Sequence, residues 1–201
     1  MNAKDIRQYT ADETVTVNGV TLHYAAAGEG RPVVLIHGNG EDHSIFGVEM
    51  EQLVSAGYRV YAPDSRGHGA NAPQAEYHYA EMAEDVYEFI RALKLEKPAL
   101  YGHSDGGIIG LLLGIAHPDP LVTLMLTEPQ IDPEDLKKIR IPVLVTAGEH
   151  DLILRSETEK IAAALPRAEM IIVEGADHGS YIVGNETMGN LLLDFLRKNG
   201  K

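Results

Sequence analysis

The chain has no cysteine, and this absence removes three kinds of chemistry at once. Without thiols there is no disulfide bond, no thiolate nucleophile and no cysteine-ligated metal site. Long apolar runs are also absent. The longest such stretch, IIGLLLGIA at 108–116, is far shorter than the roughly 20 residues that a membrane-spanning helix needs. The first residues are polar and contain no signal-peptide pattern, so a cytoplasmic location is the default expectation.

Positive charge is scarce in this sequence. Lysine and arginine number 17 against 30 aspartates and glutamates, which gives a formal net charge of −13. A surface of this sign repels phosphate backbones and anionic lipid, so we expect neither a nucleic acid nor a membrane as a partner. Of the 201 residues, 44% are hydrophobic and 23% are charged, as in ordinary globular proteins. This length predicts a single domain spanning residues 1–201.

Short apolar runs alternate with helical patterns along the chain. An antiparallel hairpin is predicted at 15–28, where two β-rich runs flank Asn18-Gly19. Further strands are predicted within 32–40 and at 59–64, 98–102, 121–128, 142–148 and 169–175. Helices are predicted at 45–56, 79–94, 105–116, 132–139, 156–165 and 181–198, with Asp132 as the N-cap of the fourth.

This order of elements predicts the fold class. Strands that alternate with helices favour one α/β domain, with a mostly parallel sheet and helices on both of its faces. In open α/β sheets, ligands bind beyond the carboxyl ends of the strands. The residues that follow each strand are therefore the candidates for a functional site.

Ser104 follows one of these strands in LYGHSDGG and precedes a predicted helix. The pattern G-x-S-x-G between a strand and a helix is typical of a nucleophile elbow, a sharp turn that exposes the serine hydroxyl. Gly102 and Gly106 leave room for the turn, and the N-terminus of the helix directs N–H groups to the same place. The alternative interpretation is an ordinary helix N-cap serine flanked by glycines.

A nucleophilic serine needs a base, and the base needs a carboxylate to orient it. His178 follows the last strand and Asp151 follows the strand before it, so the order Ser104, Asp151, His178 predicts a catalytic triad. Two other acids remain candidates, Glu128 at the end of the preceding strand and Glu149 in the same loop as Asp151. In the alternative interpretation, Asp151 caps a helix and His178 is a structural residue.

A family resemblance rests on five stretches: LIHGNG (35–40), DSRGHG (64–69), YGHSDGG (101–107), TAGEHD (146–151) and GADHGSY (175–181). Through them, nearly the whole chain resembles an α/β-hydrolase of the esterase/lipase-like superfamily. The resemblance implies that the backbone N–H groups of Asn39 and Asp105 form an oxyanion hole, and that no metal or organic cofactor is needed. It also implies a structural role for Asp64 and Arg66.

One segment departs from the family pattern. Many superfamily members insert a lid of several helices after the strand that ends here near Glu128, whereas only residues 129–140 precede the next predicted strand. We therefore expect a short crossover in place of a lid, and an open, shallow site with residues such as Met125 and Leu126 exposed. Such a site favours broad selectivity and slow turnover, because few walls hold the substrate or exclude water.

The resemblance implies a serine hydrolase that cleaves short-chain carboxylic esters of small-molecule substrates through an acyl-enzyme. Amidases, thioesterases, C–C bond hydrolases and perhydrolases share the serine nucleophile, whereas dehalogenases and epoxide hydrolases place an aspartate where Ser104 stands. The Asp105 carboxylate beside the nucleophile predicts a preference for neutral or cationic over anionic substrates. Two alternatives stay open, a ligand-binding protein without catalysis and an inactive lidless scaffold. A monomer and a homodimer are equally open.

Overall fold

The computed structural model describes residues 11–118 and 131–199 as strands and helices that alternate after an initial hairpin. The strands are β1 (Ala11–Val17), β2 (Val20–Gly28), β3 (Arg31–Ile36), β4 (Tyr58–Pro63), β5 (Ala99–Gly102), β6 (Val143–Gly148) and β7 (Ala168–Val173). The α-helices are α1 (Gly47–Ser55), α2 (Tyr79–Ala92), α3 (Asp105–Ala116), α4 (Pro133–Leu136), α5 (Arg155–Ala164) and α6 (Glu186–Asn199), and a short 3-10 helix (His43–Phe46) precedes α1. The predicted strand at 121–128, with Met125, Leu126 and Glu128, lies outside the described residues. None of the described helices combines the length and the apolar character needed to cross a bilayer.

The N-terminal hairpin forms around the predicted turn. Asn18 and Gly19 both take positive φ, +43° and +78°, as a type I′ turn requires. This turn matches the twist of the flanking strands, so Val17 pairs directly with Val20 and β1 runs antiparallel to β2. The hairpin predicted from Asn18-Gly19 is therefore present.

The strands form a mixed sheet in the order β1-β2-β4-β3-β5, and β6 and β7 form a second, parallel pair. β2 is antiparallel to β4, whereas β3 is parallel to both β4 and β5. Alternate residues of β3 pack on opposite faces. Val33 and Leu35 cluster with residues of α1 and α6, while Val34 and Ile36 cluster with residues of α2 and α3. The prediction of a mostly parallel sheet with helices on both faces is confirmed.

The last helix is shorter than predicted. The pattern predicts 181–198, but α6 begins only at Glu186. Gly184 takes a φ of +67°, which cannot continue a right-handed helix. Asn185 then accepts a hydrogen bond from Thr187 N at 2.9 Å, as an N-cap side chain does. The chain therefore makes a turn before the helix starts.

The segment that leads into β6 holds only a short helix. Asp132 caps α4 as predicted, by accepting a hydrogen bond from Glu134 N at 2.9 Å. Instead of continuing to residue 139, the helix tightens after its first turn: Ile139 N donates to Leu136 O, only three residues before it. Leu136 and Ile139 are buried in the cluster beneath α3, so this segment lies against the sheet and its helices.

Candidate active site

Ser104 lies at a tight turn between β5 and α3. β5 ends at Gly102 and α3 begins at Asp105, so only two residues connect them. Ser104 takes a φ of +52° and a ψ of −123°, a conformation that residues with a Cβ adopt only under constraint. The constraint is close packing: a Cβ on Gly102 would lie 2.2 Å from Gly106 O, and one on Gly106 would lie 2.1 Å from Ile36 O. The turn has the shape predicted for this motif, and it needs both glycines.

The structure brings Ser104, His178 and Asp151 together from three separate loops. His178 Nε2 lies 3.2 Å from Ser104 Oγ, and His178 Nδ1 lies 2.8 Å from Asp151 Oδ1. The carboxylate is itself held, since it accepts hydrogen bonds from Gly148 N at 3.2 Å and Ile153 N at 3.0 Å. The Asp151 side chain is only 4% exposed, so its hydrogen bond to the ring acts in a medium less polar than water.

These contacts set the direction of each hydrogen bond in the row. The Asp151 carboxylate can only accept, so His178 Nδ1 carries the proton that lies between them. Nε2 of the neutral ring is then an acceptor, and the Ser104 hydroxyl donates to it. In this arrangement the imidazole can take up the hydroxyl proton as Ser104 attacks an electrophile.

The structure also places one of the two rival acids. Glu149 Oε2 accepts a hydrogen bond from Gly175 N at 2.9 Å, and this contact directs the carboxylate to the backbone after β7. Glu128 lies outside the described residues. Asp151 is the carboxylate that the described structure places in hydrogen-bond contact with the His178 ring.

The two residues expected to supply oxyanion donors lie beside Ser104. Asp105 begins α3, and the first N–H groups of a helix have no partner within it. Asn39 follows Gly38 in the loop after β3, and this loop packs tightly on the elbow. A Cβ on Gly38 would lie 2.8 Å from Ser104 Cβ and 3.4 Å from Ser104 Oγ. The loop after β3 and the start of α3 thus both border the serine side chain.

Sequence reasoning missed one carboxylate next to this loop. Glu41 Oε2 accepts a hydrogen bond from Gly38 N at 2.8 Å, and Glu41 Oε1 lies 3.6 Å from His103 Nε2. Burial alone raises the pKa of Glu41, but His103 and the Gly38 N–H lower it overall, so the group is charged at neutral pH. Its signal in the sequence is position alone, two residues after Asn39 in HGNGE.

Asp64 and Arg66 hold the loop after β4. Asp64 Oδ1 accepts a hydrogen bond from His43 N at 2.9 Å, and Asp64 Oδ2 accepts one from Ala70 N at 3.1 Å. Arg66 donates two hydrogen bonds to the Asp85 carboxylate, at 2.6 and 2.7 Å. Both side chains are thus engaged within the protein. Over residues 11–118 and 131–199, no group of three or more histidines and acids is arranged to hold a metal ion.

Apolar side chains are exposed at the same edge of the sheet. The large exposed ones in the described chain are Tyr77, Tyr79, Leu152, Leu154 and Val183. Leu152 and Leu154 follow Asp151 within three residues, and the Tyr79 hydroxyl donates to Asp105 Oδ2 at 2.9 Å. Burial and this hydrogen bond raise the pKa of Tyr79. Loops at this edge of the sheet therefore expose apolar side chains, and Asp105 adds a carboxylate directly after Ser104 in the chain.

Comparison with known proteins gives matches over most of the chain. A family model described as alpha/beta hydrolase fold matches residues 31–137, and one described as TAP-like protein matches residues 125–201. The chain is 35% identical over 119 residues to the AB hydrolase superfamily protein YisY of Bacillus subtilis, covering 57% of this chain and 44% of that protein. It is 27% identical over 270 aligned positions to the non-heme chloroperoxidase CPO-A1 of Kitasatospora aureofaciens, covering 91% of this chain and 98% of the relative.

Solved structures agree with these matches. A "predicted CIB-like hydrolase" from Thermoplasma acidophilum shares the fold with a TM-score of 0.85 at 24% identity, over 94% of this chain and 98% of that one. The α/β-hydrolase fold expected from the sequence is thereby confirmed. The chain spans less than half the length of YisY, so that match leaves the larger part of the relative without a counterpart.

Proposed function

The chain belongs to the α/β-hydrolase fold family, and from this premise we propose that it is a serine hydrolase that cleaves short-chain carboxylic esters. One observation carries the proposal: Ser104, His178 and Asp151 form a continuous row, with hydrogen-bond distances of 3.2 and 2.8 Å. The serine in this row keeps a strained backbone. Such strain costs about 1–3 kcal/mol and persists mainly at functional sites.

Acylation begins with the attack of Ser104 Oγ on the ester carbonyl. His178 Nε2 removes the hydroxyl proton, and Asp151 stabilises the imidazolium that forms. The tetrahedral intermediate collapses when His178 gives this proton to the leaving alcohol. The acyl group then remains bound to Ser104 as an ester. Water attacks this ester while His178 Nε2 takes up a water proton, and His178 then gives that proton to Ser104 Oγ as the C–O bond breaks, which releases the carboxylic acid and restores the serine.

The negative charge of each tetrahedral intermediate develops on the former carbonyl oxygen. In this mechanism the backbone N–H groups of Asn39 and Asp105 donate hydrogen bonds to that oxygen. Loss of one such donor typically lowers kcat by about 10²–10³-fold. The Asp105 N–H adds the positive end of the α3 dipole, which favours the same charge.

The preference for short esters rests on the segment that leads into β6, where the described residues, 131–140, hold no lid. We propose a single domain, residues 1–201, in which residues 129–140 replace a lid. The described part of that segment holds only the four-residue helix α4. In the alignment with the chloroperoxidase, 91% of a 201-residue chain cannot fill 270 aligned positions, so that relative has residues without a counterpart in this chain. In a site without a lid, long acyl chains gain few contacts beyond those of short ones, so short chains of varied structure are accepted about equally.

Hydrolysis of p-nitrophenyl butyrate by wild type and Ser104→Ala tests this function. We expect the substitution to lower kcat by at least about 10³-fold, because the nucleophile is lost while the fold remains. Ser156→Ala is the matched control: Ser156 is exposed on α5, and its loss should leave the rate unchanged. Equal rates for wild type and Ser104→Ala would contradict the proposal.

Labelling with an organophosphonate ester separates the alternatives, since this reagent reacts only with an activated serine. Labelling of Ser104 supports a working triad. A wild type that neither reacts with the reagent nor hydrolyses the ester above background would be a ligand-binding protein or an inactive scaffold. A series of acyl chain lengths then tests the substrate class, and we expect kcat/KM not to rise as the chain grows beyond butyrate, because the added methylene groups gain few contacts.

A further inference from the structure

Side chains hold the loop that carries Asn39, and we propose that one of them, Glu41, is a positioning residue for the oxyanion hole. In this role Glu41 fastens the loop after β3 to the turn that carries Ser104. The role rests on the proposed function, because an oxyanion hole matters only if Ser104 attacks a carbonyl group. Glu41 acts through Gly38, and it donates nothing to the substrate itself.

Both peptide groups of Gly38 are fixed by side chains. Glu41 Oε2 accepts a hydrogen bond from Gly38 N at 2.8 Å, and His37 Nδ1 lies 2.7 Å from Gly38 O. His37 Nε2 accepts from Ser65 N at 2.9 Å, so Nδ1 carries the ring proton and donates it to Gly38 O. Gly38 O and the Asn39 N–H belong to one planar trans peptide, so fixing the carbonyl also fixes the direction of the N–H.

Glu41 also reaches the nucleophile turn itself. Glu41 Oε1 lies 3.6 Å from Nε2 of His103, the buried residue that directly precedes Ser104. One carboxylate therefore contacts both the loop that carries Asn39 and the turn that leads to Asp105. A misplacement of about 1 Å can lower a rate by about 10²-fold, so a tie between the two donor-bearing segments should show in kcat.

The negative charge of Glu41 acts against the rate increase that positioning gives. A Cβ on Gly38 would lie 2.8 Å from Glu41 Oε2 and 3.4 Å from Ser104 Oγ. The two oxygens are therefore at most about 6 Å apart. At this separation, and away from bulk water, charges interact strongly. A negative carboxylate this close to Ser104 Oγ disfavours the negative charge that develops on the carbonyl oxygen of the ester attacked there. Glutamine keeps an acceptor for Gly38 N without the charge, so it separates anchoring from electrostatics.

Turnover of p-nitrophenyl butyrate by Glu41→Ala and Glu41→Gln tests the role. Positioning predicts that Glu41→Ala lowers kcat by about 10–100-fold with KM changed less than about threefold, and that Glu41→Gln returns kcat to within about threefold of wild type. Glu51→Ala removes the charge of an exposed glutamate on α1 and should leave kcat unchanged. If Glu41→Ala does not fold, Glu41→Asp replaces it: the shorter side chain withdraws the acceptor, and positioning requires kcat to fall.

A thiono ester gives a second readout that a loss of stability does not move. Sulfur in place of the carbonyl oxygen accepts hydrogen bonds poorly, so the ratio of kcat/KM for p-nitrophenyl butyrate to that for its thiono analogue reports on the oxyanion hole. We expect this ratio to fall at least about fivefold in Glu41→Ala, and to stay near the wild-type value in Glu41→Gln. A lower kcat with an unchanged ratio means that Glu41 acts elsewhere, and it overturns the positioning role.

Failure of this role is distinguishable from failure of the proposed function. Activity that survives Ser104→Ala overturns the serine hydrolase and the role of Glu41 with it. Activity that is lost in Ser104→Ala but unchanged in Glu41→Ala overturns the role of Glu41 alone. Equal losses in Glu41→Gln and Glu41→Ala show that the charge matters and the anchor does not, which also overturns it.

Discussion

Ser104 shows how a single backbone conformation creates the candidate site. Its position at the start of α3 is that of an N-cap residue, yet its side chain makes no capping hydrogen bond to the helix. With a φ of +52°, the hydroxyl instead points to His178 Nε2 at 3.2 Å. An ordinary capping serine takes an extended backbone and bonds its own helix, so that interpretation does not agree with the geometry.

A second residue, Asp105, leads to a prediction about the charge of the substrate. Asp105 directly follows the nucleophile in the chain, and the Tyr79 hydroxyl holds its carboxylate through a hydrogen bond of 2.9 Å. Charge repulsion predicts that an ester with an anionic group has a kcat/KM at least about tenfold lower than its neutral isostere. Asp105→Asn should bring the kcat/KM values of the anionic and the neutral ester closer together, because it removes the negative charge. The amide keeps the size of the side chain and can still accept the hydrogen bond from Tyr79.

Matched anionic, neutral and cationic esters at low ionic strength provide the measurement, since salt screens exposed charges. Tyr79→Phe is the control variant, because it removes the hydrogen bond to Asp105 and keeps the charge. Equal kcat/KM values for the matched esters in the wild type would remove this role of Asp105.

At the scale of elements, the crossing of α3 over β3 depends on Gly106. A Cβ there would lie 2.1 Å from Ile36 O, a backbone atom that cannot rotate away. We expect Gly106→Ala to destabilise the protein by about 1–3 kcal/mol and to lower kcat by at least about tenfold, because the start of α3 must move with its N–H groups. Urea unfolding and ester turnover measure the two effects.

Gly114→Ala is the matched control for this prediction, since it lies in the same helix. The three atoms nearest to a Cβ at that position all belong to the flexible Ile139 side chain, at 3.3 to 3.8 Å. Alanine favours a helix over glycine by up to about 1 kcal/mol, so this variant should be neutral or slightly stabilised. If both variants behave alike, the close approach of Gly106 to Ile36 is not what limits the turn.

Elements with a regular apolar pattern are predictable from this sequence. Their bounds in the structure differ from the predicted bounds by one to a few residues. The start of the last helix is the exception. Tyr181 and Ile182 are buried, so they extend the helical pattern toward the N-terminus, although they lie in a turn before Gly184. Burial of a side chain in a turn and on a helix leaves the same pattern, and only the backbone distinguishes them.

Residues at the strand ends are predictable as candidates for the site because parallel strands end at one edge of the sheet. The contacts among them are less predictable. Glu149 and Asp151 share a loop, and the structure separates them because Gly175 N engages Glu149. Glu41 carries no sequence signal of its own, since its contact depends on a loop that folds back until the Gly38 N–H meets its carboxylate.

At the scale of the whole molecule, one carboxyl group is buried inside the protein, although the protein is strongly acidic overall. Glu49 lies on α1 and is fully buried, and neither of its carboxyl oxygens has a hydrogen-bond partner on another described residue. Burial raises the pKa of Glu49 to about 8, while its own backbone N–H lowers it by less. The folded protein therefore keeps this proton at neutral pH, whereas the unfolded chain releases it near pH 4.5.

This difference links the stability of the whole protein to pH in a defined direction. Below about pH 4.5 the Glu49 carboxyl group is protonated in both the folded and the unfolded state, so it does not make the free energy of unfolding depend on pH. As pH rises from 4.5 to about 8, only the unfolded state ionises, and the free energy of unfolding falls by up to on the order of 5 kcal/mol. Glu49→Gln removes this term, so its stability relative to wild type should rise through that range and level off above about pH 9.

Urea unfolding of wild type and Glu49→Gln at a series of pH values measures the difference directly. Subtraction removes groups such as Glu41 and Asp64, whose lowered pKa values make stability fall at acid pH instead. Glu51→Gln makes the same substitution at an exposed position of the same helix, and it is the control for the loss of a carboxyl group without burial. A difference between Glu49→Gln and wild type that does not change with pH would mean that water reaches the Glu49 carboxyl group and that its pKa is ordinary, because only a group shielded from water keeps its proton at neutral pH without a partner.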